Sequence, residues 1–291
     1  MQPTLHQLPL SESSSFLYLS WECKYFDKPW HFHKEYELVL INKGDGTRFI
    51  GDSVKTFFSG DLVFIGPNVP HLFKNSGEYY EKEHAGSESI FIHFAEDAFG
   101  KNFFDLPEMK WVRNLLKISS LGIEVHGSTN KYVQEILFAM KYESSDKRLI
   151  SLLNILIALS TSLDLKSIMA KEFTTSNMKD TNKINTVLQF IMANYTDEIY
   201  LEEIASKFNM STASFSRYFK HHTRKTFSDY VNEVRISHAC RLLIENNYTV
   251  SEIGYLSGFD NLSNYYRHFK KFVKMVPKDY QKRFLSNVCC K

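Results

Sequence analysis

Long apolar runs are absent from this chain of 291 residues. No stretch of about 18 or more consecutive apolar residues occurs, which argues against a membrane-spanning helix. The first residues, Met1-Gln-Pro-Thr-Leu-His-Gln, lack the charged-then-apolar order of a secretion signal. We therefore expect a soluble protein of the cytoplasm with no membrane partner.

Cysteine is also scarce, and no two cysteines have the CxxC spacing of a zinc or redox site. The adjacent pair near the end of the chain predicts neither a zinc site nor a framework disulfide. The simpler interpretation of this cysteine pattern is that the protein resides in a reducing compartment. The four cysteines are Cys23, Cys240, Cys289 and Cys290.

A strong excess of one charge sign is missing from the whole chain, whose formal net charge is +2. The two ends nevertheless differ. Residues 183–291 hold 16 Lys and Arg against 10 Asp and Glu, a net charge of +6, and the remaining 182 residues hold 19 against 23, a net charge of −4. A basic part joined to an acidic part favours a polyanionic partner for the basic part. The length and the 43% hydrophobic content allow two separate cores.

The basic part contains one pattern twice, from Leu201 to Lys220 and from Val250 to Lys270. Each copy has two short amphipathic helices separated by a tight break, which is the layout of a helix-turn-helix. In the second helix of each copy an arginine, Arg217 or Arg267, stands within an aromatic-x-x-x-Phe pair. Two such units in one chain predict two contacts with one partner, double-stranded DNA. The predicted packing residues are Ile204, Phe208, Phe215 and Phe219 in the first copy, and Ile253, Phe259, Tyr265 and Phe269 in the second.

The face opposite the packing residues is predicted to contact DNA. An arginine there can donate two hydrogen bonds to O6 and N7 of guanine, and a lysine beside it can contact phosphates. A side chain that meets only solvent is the alternative at any single position. The predicted DNA-binding residues are Ser211, Thr212, Ala213, Ser216, Arg217 and Lys220 in the first copy and Asn261, Leu262, Ser263, Tyr266, Arg267, Lys270 and Lys271 in the second, with His221, Arg224, Lys225 and Lys274 as further phosphate contacts.

One long helix is predicted between the two copies, over residues 227–246. Twenty residues at helical rise span about 30 Å, close to the roughly 34 Å between successive turns of the major groove. A single rod can therefore set two recognition helices against one face of DNA. Asn209 and Gly258 are predicted at the tight breaks, because both residue types tolerate a left-handed backbone.

A polar stretch of residues 170–182, rich in Thr, Ser and Asn, has the composition of a linker. Before it, helices are predicted over residues 129–142 and 148–165, the second with leucines at helical spacing. These helices either pack on the preceding domain or form the interface of a homodimer. Both interpretations stay open.

The pattern further upstream is one of short β-branched and aromatic runs separated by glycine-containing turns. Many short strands at close spacing predict an antiparallel barrel or a double-sheet jelly roll, whose mouth can hold a small ligand. The predicted strands are residues 37–41, 47–50, 54–58, 61–65 and 89–94.

A cluster of histidines within this region resembles the cupin signature. His31-Phe-His33-Lys-Glu-Tyr-Glu37 with Gly44 is similar to the first cupin motif, and the stretch from Gly60 to His71 with Asn75 is similar to the second. Alternation along a strand puts His31 and His33 on one face. We predict that His31, His33, Glu37 and His71 bind an organic ligand through hydrogen bonds. The resemblance implies a second interpretation, a divalent transition metal held by the same four residues, and a third interpretation is histidines that bind nothing.

Residues 253–280 carry a more specific resemblance. Ile253-x-x-x-x-Gly258-Phe259, Tyr265-x-x-x-Phe269-Lys-Lys and Pro277-x-x-Tyr280 follow one another as they do in AraC/XylS-type transcription regulators. Two departures occur: Gly254 replaces the usual Ala, and Val276 replaces the usual Ser or Thr. Glycine in a helix interior costs roughly 1 kcal/mol against Ala, so helix stability there is in question.

The resemblance covers nearly the whole chain and implies its organisation. We expect an α+β protein of two domains: a cupin-like ligand-sensing β-barrel (jelly roll) over residues 1–105 with a helical connector and candidate dimerisation region over residues 106–169, a linker over residues 170–182, and an all-α DNA-binding domain with two helix-turn-helix units over residues 183–291. The implied function is a sequence-specific transcription regulator, an activator rather than a repressor, which contacts RNA polymerase and responds to a small molecule, with a carbohydrate as the candidate class. The chain is predicted not to be an enzyme and to need no cofactor. The alternative is a metal-dependent cupin enzyme fused to a DNA-binding domain.

Overall fold

The computed structural model describes residues 15–26, 28, 30–75, 77–80, 86–172 and 181–288. Its N-terminal part is rich in strands and its C-terminal part is helical, so the predicted fold class is confirmed. The described chain divides into two compact units. One unit contains Asp45–Phe57 and the described part of Asn177–Lys291, and the other contains the described parts of Thr4–Gly44 and Phe58–Ser176.

Nine strands are present in the described residues, and all five predicted runs are among them. The strands that the sequence did not predict are the first, the sixth and the last two. The bounds are β1 Phe16–Cys23, β2 Tyr36–Lys43, β3 Gly46–Ile50, β4 Ser53–Phe57, β5 Leu62–Ile65, β6 His71–Asn75, β7 Ser87–Phe94, β8 Ile123–Val125 and β9 Leu165–Ser167.

Six of these strands form one antiparallel sheet in the order β1-β7-β2-β5-β8-β9. β2 lies near its centre, and its first six residues are all buried. A strand that is covered on both faces has an almost continuous apolar sequence. A charged residue within β2, Glu37, is therefore exceptional, and its cross-strand neighbours are Ile65 on β5 and His93 on β7.

Three α-helices lie in the described residues of the N-terminal part: α1 Lys110–Ile118, α2 Gly127–Met140 and α3 Ser145–Ser160. Their buried side chains, such as Leu137 on α2 and Leu156 on α3, belong to the same hydrophobic core as Leu38 and Phe64 of the sheet. The helical spacing of the leucines in α3 therefore reflects the packing of this helix on the sheet. Short 3-10 helices lie at Gly77–Tyr80, Phe103–Asp105, Pro107–Met109 and Ser119–Leu121.

Seven helices form the C-terminal part: α4 Thr181–Asn194, α5 Leu201–Lys207, α6 Thr212–Thr223, α7 Phe227–Glu245, α8 Val250–Leu256, α9 Leu262–Val273 and α10 Pro277–Val288. α5 with α6 and α8 with α9 are the two predicted helix-turn-helix units, and α7 is the predicted rod between them. No helix in the described residues combines the length and the apolar character that crossing a bilayer requires.

The tight breaks have the predicted backbone. Asn209 has φ of 53° and Gly258 has φ of 85°, both in the left-handed region. A Cβ atom on Gly258 would lie 2.7 Å from the carbonyl oxygen of Tyr195, so close packing as well as backbone conformation requires glycine there. Of the eight predicted packing residues, all are buried except Phe208, which is half-buried.

The structure gives a physical reason for one departure from the family pattern. Gly254 is buried within α8, and a Cβ atom on it would lie 3.0 Å from both Leu262 Cδ2 and Tyr265 Cδ1 of α9. Tyr265 is itself fully buried, so its ring is enclosed by other atoms and cannot easily move away from an added Cβ. The absence of a Cβ at this position lets the two helices of the unit approach closely.

We therefore predict that Gly254→Ala does not raise stability, although alanine is the better helix former by about 1 kcal/mol. Crowding against Tyr265 should instead lower the free energy of unfolding by about 1 kcal/mol. Chemical denaturation of both proteins measures this difference. Ala205→Gly, at the matching place in α5, is the control and should be destabilising, and a stabilised Gly254→Ala variant would contradict the packing explanation.

Candidate functional site

The structure brings the four predicted pocket residues together. Metal-ligating atoms of His31, His33, Glu37 and His71 all lie within 4.8 Å of one another, and all four side chains are buried. Main-chain hydrogen bonds between His31 and His71, of 3.1 and 2.8 Å, join the segment before β2 to β6. The cluster is therefore held by backbone pairing and does not depend on long, flexible side chains.

The carboxylate of Glu37 is the centre of the cluster. Its Oε2 atom lies 3.0 Å from Nε2 of His33 and 2.7 Å from Nε2 of His71, and its Oε1 atom lies 3.0 Å from Nε2 of His93. The sequence prediction missed His93, which stands opposite Glu37 in the pairing of β2 with β7. A single histidine in the apolar run of β7 was the available signal, but its relevance depends on knowing which strands pair.

Backbone carbonyls fix the orientation of two of these rings. Nδ1 of His33 donates to the carbonyl oxygen of Glu35 at 3.0 Å, and Nδ1 of His71 donates to that of Val69 at 2.8 Å, because a carbonyl can only accept. In a neutral ring, Nε2 then has a lone pair, and in both cases it faces the Glu37 carboxylate. His71 Nε2 lies 2.7 Å from the carboxylate without the angle of a hydrogen bond. Electrostatics therefore favours a cation among these atoms, either a proton on the rings or a metal ion.

The charges of the cluster are strongly coupled. Burial alone would raise the pKa of Glu37, but the nearby His71 and His93 and the hydrogen bond from His33 hold it well below its usual range. Burial lowers the pKa of His33, but its contacts with Glu37 outweigh this effect and the pKa is raised. At His93 burial prevails and the pKa is lowered. The site thus holds an ionised carboxylate inside a group of imidazoles.

These residues fit a divalent transition metal. Three imidazoles and one carboxylate are a suitable donor set, and a ring nitrogen that donates to a backbone carbonyl is the usual support of a metal-binding histidine. His31, His33, Glu37 and His71 would hold the ion, which would supply a Lewis acid for an oxygen atom of a ligand. His93 would orient the Glu37 carboxylate through its other oxygen.

A cavity of about 70 Å³ lies next to this cluster. Lys28, His31, Glu37 and His71 line its polar side, and aromatic side chains with Ile41 form the remaining wall. A polar side with convergent groups and an otherwise apolar lining is typical of small-molecule sites. The aromatic lining residues are Trp21, Tyr25, Phe26, Phe73 and Phe91.

The predicted DNA-contacting face of the first unit lies on α6. Ser211 is the N-cap of this helix, and its hydroxyl accepts a hydrogen bond from the Ser214 amide at 3.2 Å. Arg217 is exposed between the buried rings of Phe215 and Phe219. Of the remaining predicted residues, Ala213 and Lys220 are exposed, and Thr212 and Ser216 are half-buried.

The second unit repeats this arrangement on α9. Asn261 is the N-cap and accepts from the Ser263 amide at 2.7 Å, and Arg267 donates to Oδ1 of Asn264 at 3.0 Å. Leu262 is half-buried and packs on the core of its own unit, so part of its side chain serves packing. Ser263, Tyr266, Lys270 and Lys271 are exposed.

Three of the predicted phosphate contacts are already paired with carboxylates within the protein: Arg224 with Asp52, Lys225 with Glu233, and Lys271 with Asp229. Lys271 forms an ion pair with Asp229 in the first turn of α7, and the hydrogen bond from Lys271 lowers the pKa of Asp229. Both side chains are largely exposed, so this pair adds little to stability. It does connect the second helix-turn-helix unit to the start of the rod.

Comparison with known proteins agrees with this geometry. Residues 14–114 match a family model described as an AraC-like ligand binding domain, and residues 204–283 match one described as a helix-turn-helix domain.

Three curated relatives match most of the chain. It is 27% identical to the HTH-type transcriptional regulator YdeC of Bacillus subtilis, over 87% of this chain and 86% of that protein. It is 25% identical to the transcriptional activator RhaS of Klebsiella pneumoniae, over 86% of both chains. It is 22% identical to the transcriptional activator RhaR of Mannheimia succiniciproducens, over 98% of both chains.

All three relatives carry the names of regulators or activators, so they do not favour the alternative of a metal-dependent enzyme. The two matched domains, in this order, confirm the resemblance at the Pro277-x-x-Tyr280 and Gly258-Phe259 landmarks. The chain belongs to the AraC-type family of transcription regulators, with an N-terminal ligand-binding domain and a C-terminal helix-turn-helix domain.

Proposed function

We propose that this protein is a transcription activator that binds paired DNA sites through α6 and α9 and is controlled by a small molecule in the cavity beside Glu37. The observation that carries the proposal is the repeated arrangement of an exposed arginine between buried aromatic rings, with both copies joined to α7. Arg217 and Arg267 are the base-reading residues, and Lys220 and Lys270 contact phosphates. Activation implies a contact with RNA polymerase.

A carbohydrate is the proposed class of effector. The histidine cluster offers several hydrogen-bonding groups to hydroxyls, and the aromatic walls can pack against the apolar faces of a sugar ring. Calorimetric titration with a panel of sugars, alongside sugar acids and aromatic acids of similar size, tests this class. Binding of an acid but of no neutral sugar would reject the carbohydrate and retain the pocket.

Base reading and phosphate contact predict different mutant behaviour in α9. Arg267→Ala should cost about 1–3 kcal/mol on the preferred site and relax base preference locally. Lys270→Ala, three residues along and also exposed, should weaken binding to specific and random DNA alike and reduce the salt slope by about one. Sites are first selected from genomic fragments, and affinities are then measured by fluorescence anisotropy at several salt concentrations. Equal losses on specific and random DNA for both variants would refute the assignment of Arg267.

A bound divalent metal is the second candidate for the pocket, favoured by the two Nε2 atoms that face the Glu37 carboxylate. This second candidate predicts about one transition-metal ion per chain in protein purified without a histidine tag, because three imidazoles and a carboxylate bind such ions well. Glu37→Gln should lose the ion, whereas His126→Gln, outside the cluster, should retain it. Elemental analysis measures both. Metal-free wild-type protein would leave hydrogen bonding to the effector as the role of these residues.

We also propose that the protein is a homodimer, with α2 and α3 at the interface. Ile150 and Ile157 are two turns apart on α3 and are 58% and 47% exposed, which is unusual for isoleucine in a helix that also packs on a core. Sedimentation velocity of the full chain should show a dimer that Ile150→Glu with Ile157→Glu converts to a monomer. Leu163→Glu, at a fully exposed leucine beyond α3, is the matched control. A wild-type monomer at micromolar concentration would exclude this interface.

A further inference from the structure

One face of β7 lies along the cavity beside Glu37. Phe91 lines the cavity, and His93 contacts the Glu37 carboxylate. Because side chains alternate along a strand, Ser87 and Ser89 emerge on the same face as these two residues. Two serines therefore continue this face of β7 toward the start of the strand.

Strand pairing places Ser89 in a row with two residues of the cavity wall. It stands opposite Trp21 on β1 and opposite Ile41 on β2, and both of these residues line the cavity. Directly opposed residues of an antiparallel pair have their side chains on one face. Glu37 stands opposite His93, four residues further along β7, so its row lies about 13 Å from the row of Ser89.

The hydroxyl groups of both serines are buried without a hydrogen-bond partner. Ser87 and Ser89 are each 1% exposed, and neither Oγ atom has a partner among the described residues. A buried hydroxyl without a partner costs free energy, and such groups are rare in folded proteins. Alanine would occupy either position without this cost. The fold itself therefore does not account for the two hydroxyls.

A third polar group lies beside Ser87. The amide of Phe26 donates to Oδ1 of Asn75 at 2.6 Å, which identifies the other side of this side chain as its Nδ2 group. A Cβ atom on Gly44 would lie 3.2 Å from Asn75 Nδ2 and 3.0 Å from Ser87 Oγ, so glycine leaves room for both groups. We call Asn75, Ser87 and Ser89 the neutral subsite, because none of the three is charged.

The neutral subsite and the Glu37 cluster are polar groups at two ends of one apolar wall, with Phe91 between them. A six-membered sugar ring with a hydrogen bond at each of two opposite hydroxyls spans about 11 Å. This span is close to the separation of the two rows. A carboxylate does not suit the far end, because a buried charge needs a partner of opposite sign and the neutral subsite provides none.

We propose that the neutral subsite is a second binding site within the ligand pocket, in which the Ser89 hydroxyl binds a hydroxyl group on the edge of the effector that faces away from Glu37. Ser87 and Asn75 bind the neighbouring polar substituent. Ser89 thereby selects neutral polyhydroxylated ligands over their deoxygenated analogues. This inference rests on the proposed function and specifies which edge of the effector is recognised.

Removal of the Ser89 hydroxyl should weaken sugar binding without loss of stability. Neutral pentoses and hexoses are titrated calorimetrically into the full-length protein, and the sugar that binds most tightly is then titrated into Ser89→Ala. One hydrogen bond is worth about a fivefold change in an equilibrium, so Kd should rise about fivefold. The midpoint of thermal unfolding without sugar should not fall, because this hydroxyl has no bond to lose within the described protein.

Ser119→Ala is the matched control. Ser119 is fully buried in the same unit, but its hydroxyl donates to the carbonyl oxygen of Leu116 at 2.6 Å. Its replacement should lower the midpoint of thermal unfolding and leave sugar affinity unchanged. A serine with a structural role therefore gives the opposite pair of results.

Singly deoxygenated analogues of the same sugar identify the hydroxyl that Ser89 binds. One analogue should bind wild type about fivefold more weakly than the parent sugar does, and it should bind wild type and Ser89→Ala equally, because one partner of the hydrogen bond is already missing. The other analogues should retain the fivefold difference between the two proteins. Such a cycle isolates the contact between one side chain and one ligand group.

Two results would overturn the neutral subsite and leave the proposed function intact. The first is a Ser89→Ala variant that binds the sugar as tightly as wild type. The second is a loss of affinity that is equal for every analogue and accompanied by a lower unfolding midpoint, which would make Ser89 a structural residue. If wild type binds no sugar of the panel, the carbohydrate effector itself fails, and the neutral subsite fails with it.

Discussion

Burial of α7 on several sides is the constraint on which the C-terminal unit depends. A helix that is apolar around most of its circumference must be covered by other elements. Its first half supports α6 through Tyr230 and Phe227, and its second half supports α8 and α9 through Ile236, Ala239 and Leu243. The distance between α6 and α9 is therefore set by the packing of both helices on α7.

The N-terminal unit depends in a different way on a single charge. An ionised carboxylate buried without partners is very costly, and Glu37 lies in a strand whose other buried positions are mostly apolar. The cluster compensates with three imidazoles, two of which are themselves anchored to carbonyl oxygens. Replacing such a cluster with packed apolar residues is often neutral or stabilising, so stability alone does not explain its presence.

Local chemistry explains which features were predictable from the sequence. Phe215 with Phe219 and Tyr265 with Phe269 are anchors that lie one helical turn apart, and Asn209 and Gly258 mark breaks that few other residue types allow, so both helix-turn-helix units followed from short-range patterns. His31 and His33 are two residues apart in the segment before β2, so their proximity is also local. His93 did not follow, because its proximity to Glu37 depends on the pairing of β2 with β7, whose residues are more than fifty positions apart.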